Sequence, residues 1–187
     1  MARLGNRIVG LDGVAEQRAN YQRMGFQPAY ETVRHSGRPA GLPGGGDIRP
    51  VTAPDMAGLF AYDSQCFPVP RETFLHEWLR QPRIALLLGG STGFAGYGVA
   101  RRCREGFKVG PLFANGTESA LALLASLSDR TGDEALHIDV PAGQVAFTAM
   151  LQAAGMVPGF ATTRMYKGGR PGNTLSMVFG ITTLELG

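Results

Sequence analysis

A chain of 187 residues, 44% hydrophobic and 18% charged, is long enough for one domain of ordinary size plus something more, and it is too apolar to be a disordered tail. Its 27 glycines and 12 prolines cluster at turns without a collagen-like period. The net charge of +3 comes almost wholly from arginine; its densest group, Arg101, Arg102 and Arg104 beside Glu105, reads as a solvated hairpin tip ahead of a nucleic-acid footprint, so no nucleic-acid partner is expected.

The first segment repeats later in the chain. Residues 8–34 laid on residues 138–164, an offset of 130, match at eight of 27 positions: Ile8/Ile138, Gly13/Gly143, Ala19/Ala149, Gln22/Gln152, Gly25/Gly155, Pro28/Pro158, Thr32/Thr162 and Arg34/Arg164. Roughly two matches would arise by chance, so one supersecondary unit occurs twice. Residues 1–37 therefore read as the strand-helix-strand tail of one domain, residues 38–46 as a Gly/Pro linker, and residues 47–187 as a complete second domain of the same kind. A lone strand-helix-strand leaves apolar surface and strand edges uncovered. It docks on the second domain, pairs with another copy, or stays partly disordered; a homodimer through this fragment, or a swapped arrangement, is favoured.

From residue 47 the pattern is regular. Ile48–Val51 is a short strand, and Thr52-Ala53-Pro54-Asp55 has the form of a capping box with proline in the first turn. The helix that follows carries Met56, Leu59, Phe60 and Asp63 on one face. A second helix, about 71–81, turns Phe74, Leu75, Trp78 and Leu79 inward and stops at Pro82. Strands at 84–88, 94–101 and 107–113 follow in hairpin succession. A helix at about 118–128, a strand at 134–140, a helix at 144–154 ended by Gly155, and strands at 159–166 and about 177–186 complete the domain. The order is β-α-α-β-β-β-α-β-α-β-β, an α/β (α+β) class with a mixed, mostly antiparallel sheet flanked by helices. Cys66 and Cys103 lack CxxC spacing, so neither a metal site nor a disulfide framework is expected. No apolar run of about 18 residues exists, so no membrane partner is expected and a reducing cytoplasm is the default location.

Two local sequences, with that element order, resemble the GNAT-type acetyltransferase superfamily. Val109-Gly110-Pro111-Leu112-Phe113 resembles its Val-x-Pro strand, which leads into an Arg/Gln-x-x-Gly-x-Gly/Ala pyrophosphate loop. Gln144 through Met156 resembles its Asn-x-x-Ala-x-x-Leu-Tyr-x-x-x-Gly-Phe helix. The resemblance covers residues 47–187 as the second half of a tandem protein, with residues 1–37 as the end of the first. It implies acetyl-CoA as cosubstrate, transfer of its acetyl group to a small-molecule amine, and a donor site built from Val109, Gly110, Leu112, Ala114, Asn115, Gly116, Thr117, Ser119, Ala120 and Gln144. A helix N-terminus and close backbone suit a pyrophosphate, and a strand N–H suits an oxyanion.

The chain departs from that pattern in two places. Loop 114–120 lacks the Arg/Gln, its two glycine positions fall on Thr117 and Ser119, Gly116 is one residue early, and Glu118 would repel a pyrophosphate. A phosphate cradle and an ordinary strand-to-helix turn capped by Thr117 both stand. Leu151 holds the place of the tyrosine acid, whereas Tyr21 in the first repeat holds the matching place. The catalytic candidates are Asp63, Asp139 and Tyr21. Tyr62, Arg71, His76 and Arg80 join Asp63 as candidate acceptor-side groups. For Asp63 the competing role is an ion pair with Arg71 or Arg80; for Asp139, a turn cap; for Tyr21, plain packing. Arg34 and Arg164, at matched positions, suggest a shared structural pairing. Against acetyl transfer stands a non-catalytic domain, or a chain whose active site lies in the first domain and uses Tyr21.

Overall fold

Local chemistry starts the elements in the expected places. In this computed structural model, which describes residues 5, 7–91 and 93–186, Thr52 and Asp55 form the reciprocal capping box, and a single 3-10 turn leads into helix α2, Met56–Cys66. Residues 1–4, 6, 92 and 187 of the expected segments lie outside the described residues. The N-terminal unit is β1 (Val9–Gly13), α1 (Arg18–Arg23) and β2 (Gln27–Gly37). Then come β3 (Ile48–Pro50), α2, α3 (Glu72–Trp78), β4 (Ile84–Gly90), β5 (Gly93–Arg102), β6 (Phe107–Ala114) and α4 (Thr117–Thr131). The chain ends with β7 (Leu136–Pro141), α5 (Val145–Ala153), β8 (Val157–Lys167) and β9 (Val178–Gly180).

Two elements are shorter than the sequence suggests. Helix α3 ends at Trp78, three residues before the expected end at Gln81, because the chain turns through Leu79–Arg83 ahead of and around Pro82. The last strand, expected over 177–186, keeps ladder pairing only over Val178–Gly180 and is entered through a 3-10 turn at Leu175–Met177. It has only a short opening in which to pair, as follows from the sheet order.

That order is β1-β8-β2-β7-β6-β5-β4-β3, with β9 beside β6. Every pairing is antiparallel except β6 with β7, which runs parallel over Phe107–Val109 and Leu136–Ile138 and then parts. The N-terminal unit docks within the chain's own sheet: β2 has β7 on one edge and β8 on the other. Thr32 faces Thr162 across β2 and β8, and these two residues are one repeat apart. The two copies of the unit are thus interleaved about that point, with β1 lying on the far edge of β8. Helices α4 and α5 cover one face, burying Leu123, Leu124, Leu127, Phe147 and Leu151 against β4–β7. Helices α2 and α3 cover the other, with Leu59, Tyr62, Leu75, Tyr97 and Phe113 at its centre. No helix among the described residues is long and apolar enough to cross a membrane.

Candidate functional site

The expected donor segment is the end of β6, the turn after it and the first turn of α4. Val109, Leu112, Ala114 and Ala120 are fully buried, so their side chains are core and only backbone could face a ligand. Gly116 is the N-cap residue of α4, in extended conformation, and Thr117 is already helical; the cap expected from Thr117 is absent. A glycine there leaves the first-turn N–H groups without a side-chain acceptor. Asn115 is held to the sheet: its N–H donates to the Ala95 carbonyl at 2.9 Å, and its side-chain oxygen accepts from the Tyr62 hydroxyl at 2.8 Å. Thr117, Glu118 and Ser119 line an open groove of 820 Å³ that the linker glycines Gly44, Gly45 and Gly46 also line.

Where β6 and β7 part, a gap opens between their exposed edges, and the C-terminal segment fills it. β9 pairs antiparallel with β6, Gly180 opposite Leu112 and Val178 opposite Phe113, while the Ile181 N–H donates to the Asp139 carbonyl on β7 at 3.0 Å. Gln144, the N-cap residue of α5, donates its side-chain amide to the carbonyls of Leu175 (3.3 Å), Ser176 (3.0 Å) and Val178 (3.0 Å). Phe179 sits edge-to-face on Phe147 with ring centroids 5.1 Å apart. Gly110 admits the segment at close range: a Cβ there would lie 2.5 Å from the Thr182 carbonyl oxygen and nearer still to that of Ile181. Val178, Phe179, Ile181, Thr182 and Thr183 are all buried. The backbone edges and the amide expected to receive a donor are therefore engaged by the protein itself.

The carboxylate candidates are likewise committed. Asp63, 1% exposed, accepts two hydrogen bonds from Arg71, at 2.8 and 2.7 Å, and one from the Tyr97 hydroxyl. Arg71 reaches on to the Thr182 hydroxyl at 2.8 Å, and its guanidinium carbon lies 3.9 Å from the Phe67 ring centroid. This cluster ties α2, the α2–α3 turn, β5 and the C-terminal segment together. Burial, with the Asp63 charge second, pushes the neighbouring Cys66 thiol up to about 12, so it stays protonated at neutral pH. Asp139, also 1% exposed, takes Arg34 at 2.8 and 3.2 Å and Lys108 on its other side. Burial pushes its carboxyl up, but the hydrogen bonds from Arg34 and Lys108 outweigh that and hold it below its ordinary range.

Tyr21 lies on α1 against Gly13 and makes an edge contact with Phe26 at 6.1 Å. It belongs to the β1 end of the sheet; β8, β2 and β7 intervene before β6. His76 makes an edge contact with Phe60 at 5.1 Å, and Arg80 pairs with Glu77 on the surface. Leu151, at the position of the expected acid, is sealed in the core. The structure thus joins Tyr62 to Asn115, and Asp63 to Arg71, but leaves Tyr21, His76 and Arg80 apart from both. Arg164 pairs with Asp12 at 2.5 Å as Arg34 does with Asp139, so both repeated arginines are structural. Lys108 is the partner that pattern reading missed; a lysine inside an otherwise apolar strand was the available signal.

Comparison with known proteins bears on this arrangement. The profile described as Acetyltransferase (GNAT) domain matches residues 59–180. A curated relative, "Holothin acyltransferase" from Pseudoalteromonas sp. (strain SANK 73390), is 30% identical over 186 residues, which is 97% of this chain and 63% of the relative. A putative acetyltransferase from Pyrococcus horikoshii superposes with a TM-score of 0.78 at 19% identity, over 96% of this chain and 60% of that one. A GCN5-related N-acetyltransferase from Sphaerobacter thermophilus gives 0.62 at 18% identity, over 91% and 62%. These two structures share the fold, and this chain spans under two thirds of each of the three proteins.

Proposed function

This chain belongs to the GNAT acetyltransferase family, and from that premise we propose that it serves the transfer of an acyl group, acetyl from acetyl-CoA, to an amine of a small molecule. In that reaction residues 47–187 act as a closed, non-catalytic half that supports a donor-binding half. The relative named holothin acyltransferase supports acyl transfer as the reaction class. Two unpaired thiols, Cys66 and Cys103, suit a reducing cytoplasm.

The observation that carries this reading is the C-terminal segment in the gap between β6 and β7. A donor lying along β6 needs the edges of Leu112 and Phe113 and the amide of Gln144, all of which are taken. Withdrawing the segment exposes Val178, Phe179 and Ile181, at about 1.5–3 kcal/mol for each side chain. A micromolar ligand supplies only about 8 kcal/mol, so the opening would consume most of its affinity. The interleaved repeat supports a donor on the other side. β1 is the counterpart of β7, and the edge of β7 that takes β6 corresponds to the edge of β1 that ends the sheet. A strand, loop and helix like β6–α4 placed there would lie on the side of the sheet that carries Tyr21, whose hydroxyl could protonate a departing thiolate.

Titration calorimetry of acetyl-CoA into residues 1–187 tests this. No binding is expected up to about 1 mM, the range in which a ligand is worth about 4 kcal/mol. Micromolar binding that substitution in loop 114–120 abolishes would put the donor in β6–α4 and overturn the closed-half assignment.

A further inference from the structure

Away from the gap, side chains from four strands and one hairpin tip converge on an open cleft of 420 Å³ lined by Arg34, Arg101, Arg104, Lys108, His137 and Glu105, with Cys103 beside them. They come from β2, β5, the β5–β6 turn, β6 and β7, so no short stretch of sequence announces the site. We propose that this cleft binds a small ligand through an oxyanion group, carboxylate or phosphate. The proposal does not depend on where the acyl donor sits.

Charge and hydrogen bonding both favour such a guest. Asp139 is the buried carboxylate of the cluster, and it is shared by two cations, Arg34 and Lys108. Arg101 makes no ion pair among the described residues, and its Nε is buried with no hydrogen-bond partner. A buried donor left open in this way is costly unless something accepts from it. Arg104 also makes no ion pair among the described residues. Burial, and then repulsion from Arg34 and Arg101, works against the Lys108 ammonium despite the pull of Asp139. Surplus positive charge lining an open cleft attracts a small oxyanion.

A carboxylate of the C-terminal segment feels the same charge. The Glu185 carboxyl is held low by a hydrogen bond from Thr183, and beyond that by the charges of Arg101 and Lys108. The other acidic groups near those charges are Glu105, in the cleft lining, and Asp139, bonded to Arg34 and Lys108. His137 frames the floor without a free nitrogen: Nδ1 lies 2.8 Å from the Ser36 hydroxyl and Nε2 2.9 Å from the Glu105 carbonyl. The positive surface does not extend outward, because Arg102 pairs with Glu134 at 2.6 Å. A short anion fits such a spot, and a nucleic-acid strand does not.

Trp78 is the only tryptophan, and its ring lies 5.8 Å from the Arg101 guanidinium carbon, so its fluorescence reports on the cleft. The probes are citrate and inorganic phosphate, titrated at constant ionic strength against sodium chloride. A saturable change with citrate or phosphate but not chloride is expected, and the stronger of the two identifies the oxyanion class. Replacing both Arg101 and Arg104 by alanine should raise the half-saturation concentration about tenfold or more, the worth of one or two charge-assisted hydrogen bonds. Glu185→Gln, at an exposed position, should lower it, and Arg23→Ala on α1 should leave it unchanged. No saturable response, or a response that neither the arginine pair nor Glu185→Gln alters, overturns the site.

Discussion

Phe179→Ala asks whether the C-terminal segment is core or a detachable flap. Phe179 is 2% exposed and packs edge-to-face on Phe147 beneath α5, in the cluster that also holds Leu112, Ile138 and Leu151. Truncating a buried phenylalanine costs about 3–5 kcal/mol, from lost transfer energy and the cavity left behind. That is a large share of the 5–15 kcal/mol that stabilises a typical domain. Urea denaturation followed by far-UV circular dichroism should show the midpoint falling with little change in slope. A loss under about 1 kcal/mol would mean that the segment leaves the gap at little cost, and the closed half would be refuted. The same substitution removes about 3–5 kcal/mol from the cost of opening. At about 1.4 kcal/mol per tenfold, acetyl-CoA binding to the variant should improve by about two to three and a half decades, towards detection in the millimolar range.

Arg71→Leu should destabilise by about 3–5 kcal/mol, because it leaves Asp63 charged, buried and paired only with the Tyr97 hydroxyl. In thermal melts, adding Asp63→Asn should recover part of the loss; a second loss of equal size would show that the two residues act independently. Asp139 should make stability depend on acid. Its folded carboxyl titrates below the ordinary value of about 4, so its contribution is complete above that pH and is lost as pH falls through the folded value. The stability gap between the protein and Asp139→Asn, measured by denaturant at pH 6 and again near pH 3, should therefore narrow with acid. A gap that widens would reverse the assigned direction.

Much of this protein is legible along the chain because its causes are local. The capping box at Thr52 and Asp55, the stop at Gly155, the hairpin strands and the helical faces of α2, α4 and α5 depend on neighbours a few residues away. The repeat at offset 130 is legible for the same reason, since both copies need the same turns and the same inward positions. Tertiary structure alone decided where those pieces went. Nothing within 27–37 says that β2 enters between β7 and β8, because strand pattern specifies faces and leaves the edge partner open. Nothing within 178–183 says that the segment closes the opening beside β6, since apolar residues there are equally satisfied by an ordinary edge strand. Along the sequence Asp63 reads as a catalytic carboxylate or a partner for Arg71 or Arg80, and Asp139 as a catalytic carboxylate or a turn cap. Arg71 from the next turn, and Arg34 with Lys108 from distant strands, turn them into structural ion pairs, since a charge can be buried only where a partner meets it.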